Sequence, residues 1–251
     1  MTKVIAISNQ KGGVGKTTTT KNLGYELSQH GKKVLLVDFD PQASLTKSHQ
    51  IYLNIMSASA LEFVMEHQEA RIKISDYLDL IPANKDLQRL PSLVNDYPDG
   101  SLYLQYALDE IKHDYDYVLI DCPPQITAIT NNCYAAADSL IIPIKPGMFS
   151  IDGLVLLNNQ IKQVKRIFNP NLSVEGFLIC DVNTNTNAKR EIEEAAKECI
   201  SIFETKCFRS EIPHSTIVPN AETAYKAINE YKKNTKPGKA YRELCEEILG
   251  D

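Results

Sequence analysis

The sequence predicts an α/β fold, a doubly wound and mostly parallel sheet with helices on both faces. Short apolar runs alternate along the chain with longer stretches of helical periodicity. Some of these runs, such as residues 33–38, are almost wholly apolar, which is typical of strands covered on both faces. The chain has 251 residues, 43% of them hydrophobic, and no extended linker, so we expect one domain over residues 1–251.

The first unit of the chain is a strand, a glycine-rich loop and a helix. Residues 4–8 are a β-branched run, and residues 17–30 show helical spacing that ends at Gly31. The loop between them reads Lys-Gly-Gly-Val-Gly-Lys-Thr-Thr from Lys11 to Thr18. Such a loop needs glycines because backbone N–H groups must curl around phosphate oxygens, an approach that side chains would block. The loop therefore predicts ATP binding.

The residues of this loop have distinct expected roles. We expect Lys16 to reach the β- and γ-phosphates, the Thr17 hydroxyl to ligate Mg²⁺ and Thr18 to contact the α-phosphate. The helix that begins there points the positive end of its dipole at the anion. The rest of the cradle consists of Gly12, Gly13, Val14 and Gly15. ATP with Mg²⁺ is thus the predicted substrate, and we expect the chain to hydrolyse it.

The remaining elements continue the alternation. Further strands are predicted at residues 78–82, 117–121, 139–143 and 174–180. Helices are predicted between or after them at residues 58–72, 102–113, 128–137, 153–168, 188–203 and 241–249. The order of strands and helices is that of a parallel sheet with crossover helices.

Three aspartates follow predicted strands, at the edge where open α/β sheets bind ligands. Asp38 and Asp40 come at the end of the second strand, and Asp121 ends the strand at residues 117–121. Phosphoryl transfer needs a positioned water, which a carboxylate can orient by accepting a hydrogen bond. An isolated aspartate at such a position is more often a cap, but the neighbouring phosphate loop favours the catalytic interpretation.

The loop resembles the deviant Walker A motif of the ParA/MinD group of ATPases, because Lys11 directly precedes the glycines. The resemblance implies that Lys11 crosses a nucleotide-sandwich dimer to the partner's phosphates and acts much as an arginine finger does. It assigns the water-positioning role to Asp40 and places Asp38 near the magnesium shell. Residues 117–124 resemble a Walker B strand, whose aspartate, here Asp121, holds magnesium through water. Residues 123–125 would then form a proline-restricted switch segment that senses the γ-phosphate.

The likeness to the ParA/Soj partition ATPases covers nearly the whole chain, from residues 40–42 through residues 81–87 to Ile212-Pro213 and the last helix. It places Asp181 and Asn183 beside the adenine, with Pro213, although ordinary turn chemistry explains the two polar residues equally well.

The DNA-binding positions of the family differ in this chain. Chromosomal members carry arginines where this sequence has Asn185, His214 and Ile217. Other basic residues could replace them, although an ordinary solvated charge is the better explanation for each one. They are Lys189, Arg190, Arg209, Lys226, Lys232, Lys233, Lys236 and Lys239. Non-specific DNA binding is therefore an expectation from kinship.

Composition sets outer limits on function. The net charge of −5 argues against a surface coated in basic residues. The six cysteines show no zinc-finger spacing, so we expect reduced thiols, with Cys122, Cys133, Cys180 and Cys199 in the core. We find no signal peptide and no apolar run long enough to span a membrane. A cytoplasmic bacterial protein is expected, nucleoid-associated if it binds DNA.

The residues and the resemblance together predict a DNA-segregation ATPase. It would form a homodimer on ATP, bind non-specific DNA, hydrolyse ATP slowly on its own and be stimulated by a ParB-like partner. The first alternative is a MinD-like positioning ATPase, which the absence of a basic amphipathic tail disfavours. The second is an iron–sulfur reductase similar to the nitrogenase iron protein, and the sequence around Cys122 and Cys133 does not match its pattern.

Overall fold

One mostly parallel sheet organises the computed structural model, which describes residues 1–51, 57–146, 151–182, 194, 197 and 199–250. Within these residues, eight strands pair in the order β3-β4-β2-β5-β1-β6-β7-β8. Neighbouring strands in this order are parallel except β3 and β4, which are antiparallel. The strands are β1 (Lys3–Ile7), β2 (Val34–Asp38), β3 (Ile72–Ser75), β4 (Leu78–Ile81), β5 (Tyr117–Asp121), β6 (Ser139–Ile144), β7 (Ser173–Val182) and β8 (Cys207–Pro213).

Helices cover both faces of this sheet. Alternate residues of β1 belong to different cores, with Val4 and Ala6 in one and Ile5 and Ile7 in the other. The helices are α1 (Lys16–Gln29), α2 (Ser44–Ser48), α3 (Ala60–Glu66), α4 (Leu90–Val94), α5 (Tyr103–Ile111), α6 (Ala128–Ala136), α7 (Ile151–Ile167), α8 (Ile217–Thr223), α9 (Ile228–Tyr231) and α10 (Lys236–Leu249). Residues 199–203 are also helical, and two short 3-10 helices lie at Lys85–Arg89 and Lys112–Asp114. The predicted fold class is confirmed.

Strand register brings the predicted site together. Asp38 at the end of β2 lies opposite Asp121 at the end of β5, and Ile7 at the end of β1 is level with Asp121. The loop after β1 and the two aspartates therefore share one edge of the sheet, where parallel strands end and α/β proteins bind ligands.

Some predicted boundaries were wrong. The helix predicted over residues 58–72 ends at Glu66, because His67 takes a left-handed conformation with φ 53°. Residues 72–75 then form the edge strand β3, which pairs antiparallel with β4. Strand β8 and the short helices α2, α4, α8 and α9 were not predicted, and the helix predicted at 188–203 falls partly outside the described residues.

Two further features follow from burial and helix length. Cys122, Cys133, Cys180 and Cys199 are all buried within the apolar cores, as predicted. In the described ranges, no helix combines the length and the apolar character that a bilayer crossing requires.

Candidate functional site

The glycine loop forms an open cradle between β1 and α1. Gly13 and Gly15 have φ of 72° and 101°, values that favour glycine because other residues would be strained there. A Cβ added to Gly12 or Gly13 would meet no atom of the described residues within 4 Å, so no described residue packs against them there. No described side chain caps the N-terminus of α1. Backbone N–H groups at this end are therefore available to an anion.

Lys16 lies in the first turn of α1 and is 8% exposed. Its ammonium donates a hydrogen bond to the Lys11 carbonyl at 2.9 Å, across the width of the loop. Burial lowers the pKa of Lys16, while the negative charge of Asp121 acts in the opposite direction. An ammonium has three donors, so Lys16 can hold the loop and still reach phosphate oxygens.

Thr17 and Asp121 form a ready pair of oxygen ligands. The Thr17 hydroxyl donates to Oδ2 of Asp121 at 2.6 Å. The other oxygen, Oδ1, is buried and has no hydrogen-bond partner among the described residues. Burial raises the pKa of Asp121, and the nearby Asp38 raises it further. A cation would relieve this unfavourable buried charge, and Mg²⁺ prefers such hard oxygen ligands.

These residues fit a magnesium ion held jointly with a nucleotide. No group of three or more His, Cys, Asp or Glu in the described part of the chain is arranged to hold a metal ion by itself. Magnesium at phosphate sites is usually held by one or two protein groups, substrate phosphates and water. Thr17 and Asp121 match that smaller ligand set.

Asp38 is fully buried and structurally engaged. Its Oδ2 accepts hydrogen bonds from the backbone N–H and the hydroxyl of Thr46, both at 2.7 Å. Its Oδ1 accepts the backbone N–H of Asp40 at 3.2 Å. Burial raises the pKa of Asp38, and these bonds act against the rise. Asp38 thus fixes α2 at the edge of the site, and its proximity to magnesium stays a prediction.

Asp40 lies at the rim of the site and is half-buried. Its Oδ1 accepts the backbone N–H of Gln42 at 2.9 Å, which leaves Oδ2 for other contacts. The position combines a backbone held by Asp38 with a carboxylate whose charge acts on Lys16 and Asp121. This arrangement is compatible with positioning a water molecule, a role that stays a prediction.

A cavity of about 270 Å³ lies beside the loop, and we expect it to hold the nucleotide's base. Asp181 in its wall has φ 60° and accepts hydrogen bonds from Lys145 and from Nδ1 of His214, the latter at 2.5 Å. Burial acts to raise the pKa of Asp181, but the bonds from Lys145 and His214 outweigh it and the pKa is lowered. Pro213 lines the same cavity. Asp181 and Pro213 therefore line one cavity, and their contact with the adenine stays a prediction, while Asn183 is outside the described residues.

The candidate DNA contacts are surface residues. Arg209 has a side chain 84% exposed with its Nε 3.6 Å from Glu247, and Ile217 begins α8. Lys226, Lys232, Lys233, Lys236 and Lys239 are exposed around α9 and the start of α10. Asn185, Lys189 and Arg190 lie outside the described residues.

Sequence reasoning missed several groups that shape the site. Thr46, Lys145 and Glu222 each contact a predicted site residue but lie outside any motif. Gln10 occupies the position of the first glycine in the ordinary loop pattern, and its Nε2 is buried without a partner among the described residues. The polar Lys145 directly after an apolar strand was the one available signal.

Comparisons with known proteins show which proteins the chain is similar to. A family model described as an AAA domain matches residues 2–174. The chain is 32% identical to the sporulation initiation inhibitor protein Soj of Bacillus subtilis, with 100% of both chains covered. It is 34% identical to the chromosome-partitioning ATPase Soj of Treponema pallidum, covering 99% of this chain and 98% of the relative.

A solved structure gives the same result for the fold. Cobyrinic acid a,c-diamide synthase from Mycobacterium smegmatis with bound ADP and magnesium matches with a TM-score of 0.85 and 29% identity, over 99% of this chain and 94% of that one. The same enzyme has also been solved with an ATP analogue and magnesium.

Proposed function

The chain belongs to the Soj/ParA family of P-loop ATPases, and we propose that it is a DNA-segregation ATPase. It binds ATP with Mg²⁺, forms a sandwich dimer, binds DNA non-specifically in that state and returns to the monomer after hydrolysis. Basal turnover is slow, and a ParB-like partner accelerates it. The neighbour solved with ADP and magnesium supports magnesium as the accompanying ion.

The observation that carries this proposal is the open side of the phosphate loop. Gly12 and Gly13 are exposed, and Lys11 directly precedes them. Lys16, Thr17 and Asp121 approach the cradle from within the same chain. A second chain can therefore complete the site from outside, with Lys11 of each chain reaching the other's phosphates.

Catalysis in this site rests on positioning and on charge. Lys16 binds the β- and γ-phosphates. Thr17 would hold magnesium directly, and Asp121 would hold it through water. Bound magnesium supplies positive charge that offsets the charge developing on the phosphate oxygens. Asp40 orients the attacking water by accepting its hydrogen bond, and Asp181 and Pro213 border the base. Residues 123–125, which follow Asp121, respond to the γ-phosphate and convey its loss to the dimer interface.

Binding to labelled duplex DNA of arbitrary sequence tests the proposal. We expect binding with ATP and Mg²⁺ at low salt, and little binding with ADP. Phosphate contacts release counter-ions, so affinity should fall steeply with salt, with a slope near −0.9 in log–log form for each phosphate contacted. The Lys16→Ala variant is the matched control, because it keeps the basic surface and loses the nucleotide.

Two results would contradict parts of this function. DNA binding that is equal with and without ATP would contradict the proposal that ATP controls it. No DNA binding at low salt, together with normal ATP hydrolysis, would favour a MinD-like positioning ATPase acting on another cargo. The glutamates Glu243, Glu246 and Glu247 on α10 already disfavour docking of that helix on an anionic membrane.

A further inference from the structure

Helix α1 is bonded along one stripe to the C-terminal part of the chain. Thr18, Asn22 and Glu26 are spaced four apart and so lie on one face of the helix. The Asn22 Oδ1 accepts the backbone N–H of Ile228 at 2.7 Å, and Glu26 Oε1 accepts Nδ2 of Asn229 at 2.7 Å. These two contacts are buried. They fix the middle and the C-terminal part of α1 to α9.

The third contact of this stripe is different, because it is exposed and involves the nucleotide site. The Thr18 hydroxyl donates to Oε1 of Glu222 at 2.8 Å. Thr18 is the residue expected to contact the α-phosphate. Glu222 lies in the last turn of α8, where the helix dipole disfavours a negative charge. A residue that contradicts a local preference in this way is often kept for function.

A hydroxyl has one proton and can satisfy one strong acceptor at a time. We propose that Glu222 competes with the nucleotide's α-phosphate for the Thr18 hydroxyl, so that nucleotide binding releases Glu222 and with it the end of α8. The inference rests on the proposed nucleotide site. Glu222 is a positioning residue, since it acts through Thr18 and lowers nucleotide affinity until it is displaced.

The carboxylate of Glu222 has room for two positions, one bonded to Thr18 and one facing Lys21 and Lys226. Val218 and Pro219 in the first half of α8 line the base cavity, so both ends of this helix adjoin the nucleotide site. On the other side, a cavity of about 460 Å³ is bounded by Glu222, Lys21 and Lys226. Burial lowers the pKa of Lys21 to about 8, and the charges of Glu230 and Glu222 oppose this. The released carboxylate therefore has cationic partners across the same cavity.

Fluorescent ADP binding to the full chain tests the competition, since ADP avoids the contribution of ATP-driven dimers. We expect Glu222→Gln to bind ADP about 3- to 10-fold more tightly, the size of an exposed charge-assisted hydrogen bond. Glu222→Ala, which lacks the acceptor, should gain at least as much. A purely structural role predicts weaker binding instead. In steady-state ATP hydrolysis, KM should fall with little change in kcat.

Two comparisons separate competition from a general effect of charge. Glu243→Gln makes the same charge change on the exposed side of α10 and should leave ADP affinity within twofold. In a Thr18→Val background, Glu222→Gln should lose most of its effect. Unchanged or weaker ADP binding by Glu222→Gln would overturn the inference, as would equal gains in both backgrounds or from Glu243→Gln. A wild-type chain that binds no ADP would instead overturn the nucleotide site itself, and this inference with it.

Discussion

Side chains in the site have specific hydrogen-bond and charge partners, and these partners determine the effect that we expect from each substitution. Lys16 is the clearest case, because its buried ammonium bonds to the Lys11 carbonyl and lies near Asp121. In the proposed site the glycine loop would offer its backbone N–H groups to the phosphates, and Lys16 would supply the positive charge. Lys16 is therefore the residue whose substitution tests whether this loop binds phosphate or is an ordinary turn.

Lys16→Ala should lower ATP affinity by at least about 100-fold, because the phosphates lose a partly desolvated counter-ion. Titration calorimetry or a fluorescent ATP analogue measures this directly. Lys73→Ala is the control, since Lys73 lies on the edge strand β3 with its side chain 68% exposed. Unchanged ATP affinity in Lys16→Ala would contradict the phosphate-loop assignment.

Asp40→Ala should bind ATP and dimerise but hydrolyse ATP at least about 100-fold more slowly, the lower range for loss of a positioned general base. The Asp40 carboxylate also accepts the Gln42 N–H, so Asp40→Asn is the matched variant that keeps this acceptor and loses the charge. Phosphate release over time is the measurement. Wild-type turnover in both variants would show that another group positions the attacking water.

The sequence could predict these residues only where a local motif carried them. Lys16 and Thr17 are set by loop and helix geometry within a few residues. The partner of Asp38 was not predictable, because Thr46 meets it only after α2 turns back toward β2. The Thr18 contact with Glu222 joins residues 204 positions apart and depends on the whole fold.

At the scale of helices and strands, buried parallel strands were predicted well because their apolar runs leave little alternative. Edge elements were not. Strand β3 was not predicted, and only its first residue, Ile72, was included in a predicted helix, since its short alternating pattern is compatible with both and only pairing with β4 decides. Helix α2, five residues long, is likewise fixed by its contacts with Asp38 rather than by its own sequence.

The packing of α2 against α1 predicts a pH dependence of stability. His49 follows α2, and burial together with the charge of Lys21 lowers its pKa from 6.5 to about 4. The unfolded chain therefore binds more protons than the folded chain between these values, and the free energy of unfolding should fall as pH drops through them. We expect His49 to account for about 2 kcal/mol of that loss, reduced from the full shift because the ring is only partly enclosed.

Urea unfolding of the nucleotide-free chain at pH 7 and pH 5 tests this contribution. His49→Gln, neutral at both pH values, should flatten the difference between the two measurements. His113→Gln is the control, because the His113 side chain is 72% exposed. An equal pH dependence in wild type and His49→Gln would show that other groups carry the effect.

For the molecule as a whole, the sequence predicted the fold class but not the strand order, which depends on pairings between distant segments. That order places β5 between β1 and β2 and so brings Asp121 to Thr17 and level with Asp38. The prediction of one domain stays a prediction. The open face of the loop also depends on the fold as a whole, since no atom of the described residues comes within 4 Å of a Cβ built on Gly12 or Gly13.

The last prediction concerns this open face. Lys11→Ala should bind ADP nearly as wild type does, because Lys16 and the loop backbone act within one chain. It should dimerise much more weakly on ATP, because each chain loses the cation that it offers to its partner's phosphates. Two such contacts per dimer, at about 1.5 kcal/mol each, would weaken dimerisation by roughly 100-fold.

Light scattering in an Asp40→Ala background measures the dimer without consuming the ATP. Lys11→Arg is the matched variant: its guanidinium keeps the charge and the reach, so dimers should be partly retained. Dimers of normal affinity in Lys11→Ala would refute the contact between chains. Loss of ADP binding in the same variant would instead place Lys11 in its own chain's site, which would turn a dimer-forming switch into an ordinary phosphate loop with one additional lysine.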